Sequence, residues 1–99
     1  GPQAPITGRA WTSGPARVKG DTVQGVLTAT GPGSTTLTVW DPEHGGLGST
    51  TVKNDRAGRW RYAVDVDPEQ VTRETVVTSG FVAPDGATHA DVAQMVGVR

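Results

Sequence analysis

The chain is poor in side chains that could do covalent or metal chemistry. Its histidines are His44 and His89, its serines are Ser13, Ser34, Ser49 and Ser79, and cysteine is absent. A serine nucleophile of the hydrolase type needs a glycine-flanked elbow between strand and helix. A histidine pair on one helix face needs the i, i+4 spacing. Neither pattern occurs. Without cysteine there is no thiol nucleophile, no disulfide staple and no cysteine-ligated zinc or iron–sulfur cluster. These absences give the expectation of a non-catalytic protein with no resident cofactor.

Carboxylates and tryptophans remain. Asp65 and Asp67 fall on one face at a strand end and are followed by Pro68-Glu69; Asp41-Pro42-Glu43 forms a second acidic loop. Calcium is held by clustered carboxylate and carbonyl oxygens, so Asp65 and Asp67 are the candidate metal ligands. The dense Asp-x-Asp-x-Asp-Gly loop is missing, and turn chemistry accounts for the same residues. Trp40 is out of phase with Leu37 and Val39, which places it outside a core that those two enter. It is a candidate platform for a sugar ring or an anchor for a protein partner, and Trp11, near the start of the chain, is a second. Covering a sandwich end or a neighbouring domain is the alternative use of either ring. Lys53, Arg59 and Arg61 are expected on the wet face of one hairpin, where an anionic polymer could bind but a solvated face is the simpler reading.

The elements that must position these residues are strands. Of 99 residues, fourteen are threonine and fourteen valine, against three leucines and one isoleucine. Such β-branched composition favours the pleated strand. Fourteen glycines and seven prolines interrupt any helical run. From Arg59 to Val66 apolar and polar residues alternate without a break: Trp60, Tyr62, Val64 and Val66 against Arg59, Arg61, Ala63 and Asp65. Further strands are expected over residues 22–30, 34–41, 48–54, 73–82 and 89–98, separated by Gly31-Pro32-Gly33, by residues 41–46 and by Pro84-Asp85-Gly86. Residues 54–58 have the length of a hairpin turn. Residues 68–74 have room for one helical turn only. Residues 1–14 are expected to be a cleaved-tag remnant (Gly1-Pro2), a linker and an edge strand, and residues 15–99 the domain. About seven strands with turns at roughly 8–12-residue spacing describe an all-β, antiparallel two-sheet sandwich. Trp60 is the expected centre of its core, with Tyr62, Val64, Leu37 and Val39 around it.

Net charge is −1, so the basic excess of a nucleic-acid-binding module is missing. No stretch reaches the roughly 18 apolar residues of a membrane-spanning helix.

The segments Gly25-Val-Leu-Thr-Ala29-Thr-Gly31-Pro-Gly33, Leu37-Thr-Val39 and Asn54-Asp55-Arg-Ala-Gly58-Arg-Trp60-Arg-Tyr62, with Pro84-Asp85-Gly86-Ala-Thr88 near the end, follow one another in an order that resembles the bacterial immunoglobulin-like (Big-type) domains of surface and secreted proteins. The resemblance covers most of the chain, and Asp-x-x-Gly-x-Trp-x-Tyr is its most specific part. It implies an immunoglobulin-like or fibronectin-III-like sandwich serving as a structural or adhesive spacer at the cell surface or outside the cell. The partners implied are neighbouring domains of the same chain, a polysaccharide or a host or cell-surface protein. It also implies that calcium could stiffen an array of such domains. Some relatives carry a Lys–Asn crosslink, for which Lys19 and Asn54 would be the pair here. The same fold serves as an accessory carbohydrate-binding module of polysaccharide-active enzymes and as a decoration on phage virions, and both are alternatives.

Overall fold

The alternation from Arg59 onward becomes a strand over Gly58–Asp65, in which Tyr62 and Val64 are buried and Arg59, Arg61, Ala63 and Asp65 are exposed. In chain order it is β5. Before it come β1 (Ala10–Lys19), β2 (Thr22–Ala29), β3 (Gly33–Asp41) and β4 (Gly45–Asn54); after it come β6 (Val76–Val82), β7 (Thr88–Ala90) and β8 (Gln94–Gly97). The computed structural model describes residues 10–90 and 94–97. The first nine residues, with the expected tag remnant, and residues 91–93 and 98 of the expected last strand therefore lie outside the described residues. The single helical turn is a 3-10 turn at Pro68–Gln70, capped by Asp67.

The strands form an immunoglobulin-like sandwich of two antiparallel-dominated sheets. One sheet is ordered β5-β2-β1 and the other β4-β3-β6, with β7 on β6. β8 joins them: Gln94 and Met95 pair antiparallel with Val77 and Val76, and Val96 and Gly97 pair parallel with Ala16 and Arg17. β1 lies between β2 and β8, so it is an interior strand and not an edge. It also runs through the expected boundary at residues 14–15 as one strand. Its ladder with β2 is interrupted only between Ser13 and Arg17. Gly14 and Pro15 signal a break in the sequence, but a break of this length is a bulge that the sheet absorbs. Gly20, at φ +60°, makes the tight return into β2.

Residues 54–58 are not a hairpin. β4 pairs with β3, β5 pairs with β2, and the connection passes from one sheet to the other. Facing sheets lie about 10 Å apart, a span that four or five extended residues cover, so loop length alone does not separate the two cases. The crossing is pinned by Asn54, whose buried side-chain Nδ2 donates to Gly31 O at 2.6 Å and to Arg56 O at 3.3 Å.

The core also differs from the expected one. Tyr62, Val64, Leu37 and Val39 are buried in it, with Val23, Leu27, Val77 and Phe81. Trp60 is only half-buried and packs against the edge of this cluster. It is the third residue of its strand, next to the sheet crossing, so its ring covers one end of the sandwich. The largest fully enclosed side chain is Phe81, 1% exposed. Phe81 and Tyr62 each lie across a glycine. A Cβ built on Gly33 would stand 2.5 Å from Phe81 Cζ and 2.7 Å from the carbonyl oxygen of Val82. One built on Gly25, the cross-strand partner of Tyr62, would stand 2.5 Å from Tyr62 Cζ and 2.8 Å from Cε2.

Candidate functional site

Trp40 stands on the outer face of the β4-β3-β6 sheet and is 46% exposed. It pairs with Val76 on β6 and Gly46 on β4, beside a register shift between Val39 and Trp40. Trp11 pairs through its backbone with Thr28, in the other sheet and at the other end of the sandwich. The two tryptophans therefore stand on strands of different sheets. Asp65 is exposed on β5, and Asp67 Oδ1 accepts from Glu69 N at 3.0 Å to cap the 3-10 turn. Neither belongs to the group of three potential metal ligands found among the described residues, which is Asp41, Glu43 and His44. Lys53 lies on β4 and Arg59 and Arg61 on β5, so the expected basic hairpin face is divided between the sheets. Lys19 and Asn54 end strands at opposite ends of the sandwich, which rules out a crosslink between them.

Among the described residues, Asp41 is the most heavily engaged polar one. It closes β3 with its side chain fully buried. Thr72 Oγ1 donates to its Oδ1, and so does Thr75 Oγ1 at 2.7 Å. Oδ2 accepts from Glu43 N at 2.9 Å and His44 N at 3.0 Å, and His44 Nδ1 lies 3.1 Å away. Burial pushes the carboxyl pKa up, but the hydrogen bonds from Thr72, Thr75, Glu43 and His44 outweigh it and hold the group well below the usual carboxylate range. A carboxylate offers about four lone-pair sites, and five donors surround this one. A cation bound here would have to displace them, so the cluster is read as a knot and not as a metal centre.

The knot reaches the end of the described chain. Thr72 N donates to Thr75 Oγ1 at 2.8 Å, and Thr75 N to Thr72 O at 3.2 Å. The Thr75 carbonyl then accepts from Val96 N at 2.9 Å, on β8. One buried aspartate thus ties the β3–β4 loop, the segment leading into β6 and the last described strand together. Asp41 with two backbone amides just downstream is legible as a side-chain turn. Thr72 and Thr75, 31 and 34 residues away, are not.

At the opposite end, an open groove of about 490 Å³ is lined by Lys53, Asn54, Asp55, Arg56 and Trp60. The Arg56 guanidinium stands 5.4 Å from the Trp60 ring centre, a cation–π distance. Asn54 Oδ1 and Trp60 Nε1 are buried there without hydrogen-bond partners among the described residues.

No protein-family model matches this chain, and no curated protein matches it significantly.

Proposed function

We propose that the chain is a non-catalytic spacer module of a multidomain bacterial surface or secreted protein, in the manner of the Big-type domains that its motifs resemble. One observation carries the reading: β1 enters the sandwich at one end and β8 leaves it at the other. Ala10 pairs with Ala29 beside the β2–β3 turn, whereas Gly97 pairs with Arg17 near the β1–β2 turn. Modules with this course stack in line. A pull along their axis shears the β1–β2 and β1–β8 ladders, so their hydrogen bonds are loaded together and not one after another. The Asp41 knot supports the same reading, because it anchors the strand through which force would leave.

Single-molecule extension tests it. Pulled from its two ends, the domain should unfold at a force several-fold above that needed when the handle before β1 is moved to Asp21, in the β1–β2 turn near Gly97, which peels the β1–β8 ladder open from that end. Equal forces in the two geometries would remove the support for a force-bearing spacer.

The exposure of Trp40 favours a second reading, an accessory carbohydrate-binding module. Saturable quenching of tryptophan emission by a polysaccharide, abolished by Trp40→Ala, would establish it. Emission unchanged across polysaccharides of differing linkage would dismiss it.

A further inference from the structure

The charges of this sandwich are sorted by end, although its net charge is only −1. Six exposed carboxylates, Asp21, Glu43, Asp65, Asp67, Glu69 and Glu74, stand in the half from which β8 leaves. The backbone gathers them there. Thr22 pairs with Asp65, and Val66 N donates to Asp21 O at 2.9 Å. Asp67 caps the 3-10 turn that carries Glu69. Glu43 N and Thr72 Oγ1 both donate to Asp41, and Glu74 N donates to the same Thr72 hydroxyl at 3.2 Å. The basic residues of this half are Arg17, Lys19, Arg73 and His44, and none of the six carboxylates forms an ion pair among the described residues.

The half that β1 enters has the opposite bias. Lys53, Arg56 and Arg59 are exposed around the sheet crossing, with Arg61 one pleat further along β5, against Asp55 and Asp85. An eight-residue strand such as β2 keeps the two ends about 25 Å apart. Trp60 is in phase with Tyr62 and Val64, and Asn54 with Val52, so both side chains face the space between the sheets. The groove lined by Lys53, Asn54, Asp55, Arg56 and Trp60 is where that space opens at the entry end. Asn54 is 5% exposed, and its Oδ1 has no hydrogen-bond partner among the described residues. Unmatched buried polar atoms are uncommon in a finished surface and mark an end that is still to be covered.

We propose that the two ends are complementary, and that the groove at the entry end receives the acidic exit end of a second copy of this chain. The turn carrying Asp67 and Glu69 in one copy is set against Lys53, Arg56 and Arg59 of the next. This rests on the spacer reading and names what holds successive modules in line. Charge decides the orientation: two exit ends repel, as do two entry ends, so only the head-to-tail arrangement is attractive. Such a contact leaves one end of each sort free and propagates as a line rather than closing as a dimer. Electrostatic complementarity steers and aligns more than it tightens, so the contact between free copies is weak and sensitive to salt. Copies joined in one chain meet at an effective concentration on the order of millimolar, where a weak contact suffices.

The test is a titration of 15N-labelled protein with unlabelled protein at about 0.01 M and about 1 M salt, in which charges are felt over about 30 Å and about 3 Å. At low salt the Trp60 indole N–H and the Asp21 and Glu69 amides should shift together and saturably, while the sedimentation coefficient rises with concentration. The Thr36 and Thr38 amides, midway along β3, should stay fixed. High salt should abolish the shifts. An entry variant, Lys53→Glu with Arg56→Glu, and an exit variant, Asp65→Lys with Glu69→Lys, change exposed residues only. Each alone should self-associate at least about tenfold more weakly than the parent, and the two mixed should associate to within about threefold of it, because the exit of one then matches the entry of the other. The proposal is overturned if the protein stays monomeric at low salt, if either variant associates as the parent does, or if the mixture fails to restore the contact. A monomeric protein that still unfolds at a higher force from its two ends would retain the spacer reading and lose only this contact.

Discussion

Adding one methyl group at Gly25 should destabilise this protein, against the usual trend for a strand. Gly→Ala inside a strand normally gains about 0.5–1 kcal/mol, through reduced chain entropy in the unfolded state. At Gly25 the new Cβ would stand 2.5 Å from Tyr62 Cζ and 2.8 Å from Cε2, where carbon–carbon contacts need about 3.5 Å or more. The ring must move by about an ångström. It has nowhere free to go, since Tyr62 is 4% exposed and packed in the core. Overpacking of this kind costs about 1–3 kcal/mol. The net expectation for Gly25→Ala is a loss of about 1–2 kcal/mol, which for a domain of this size lowers Tm by roughly 5–15 °C. The assay is a double-mutant cycle by urea unfolding, with Tyr62→Leu as the second change. Leucine removes the ring from above residue 25, so Gly25→Ala in that background should become neutral or stabilising by about 0.5 kcal/mol. A Gly25→Ala protein as stable as the parent, or an equal loss in both backgrounds, would refute the account of Tyr62 and Gly25 as one packed pair.

Three further outcomes follow from the same geometry. Phe81→Ala should cost about 3–5 kcal/mol, and Trp60→Ala distinctly less because that ring is half-buried, as paired denaturation curves would show. The Asp41 carboxyl titrates lower in the folded chain than in the unfolded one, so its stabilisation is complete above the ordinary value of 3.8 and is lost as pH falls below it. Asp41→Asn should therefore lower Tm at neutral pH and flatten the dependence of Tm on pH between about 4 and 2; an unchanged acid slope would contradict the knot. Trp40→Ala should leave stability within about 1 kcal/mol, because nearly half of the ring is already in water, and a larger loss would mean that the ring holds the sheet together.

Much of the fold is legible in the sequence because it is written in period-two alternation and in turns. Residues 58–66 need nothing beyond that alternation, and Tyr62 and Val64 fall on the buried side. What local pattern cannot carry is which sheet a strand joins. The connection at residues 54–58 has the same length whether it closes a hairpin or crosses between layers, and Trp60 moves from core centre to core edge with that choice. The same holds for Phe81. Its ring lies across Gly33 while its backbone pairs with Thr35, and both contacts link residues far apart in the chain. Likewise Arg61 is placed beside Lys53 by a hairpin reading, whereas register sets it opposite Val26 on β2, in the other sheet from Lys53.

The Asp41 knot bears on why a buried carboxylate stands at a position where a neutral side chain would avoid the cost of desolvation. Asparagine could accept at one oxygen only, and its amide would face the hydroxyls or amides of a site built wholly of donors. Five donors around one side chain demand an acceptor with two oxygens, so the charge follows from the geometry of the loop and of the Thr72–Thr75 turn. That turn presents its last carbonyl to β8 at Val96. Loosening Asp41 should thus be felt first at the exit strand and not at the loop that contains it. Hydrogen exchange gives the readout: in Asp41→Asn the Val96 amide should lose protection more than the amides of β2 do. Equal losses in both strands would mean that the aspartate stabilises the sandwich as a whole and holds no particular end of it.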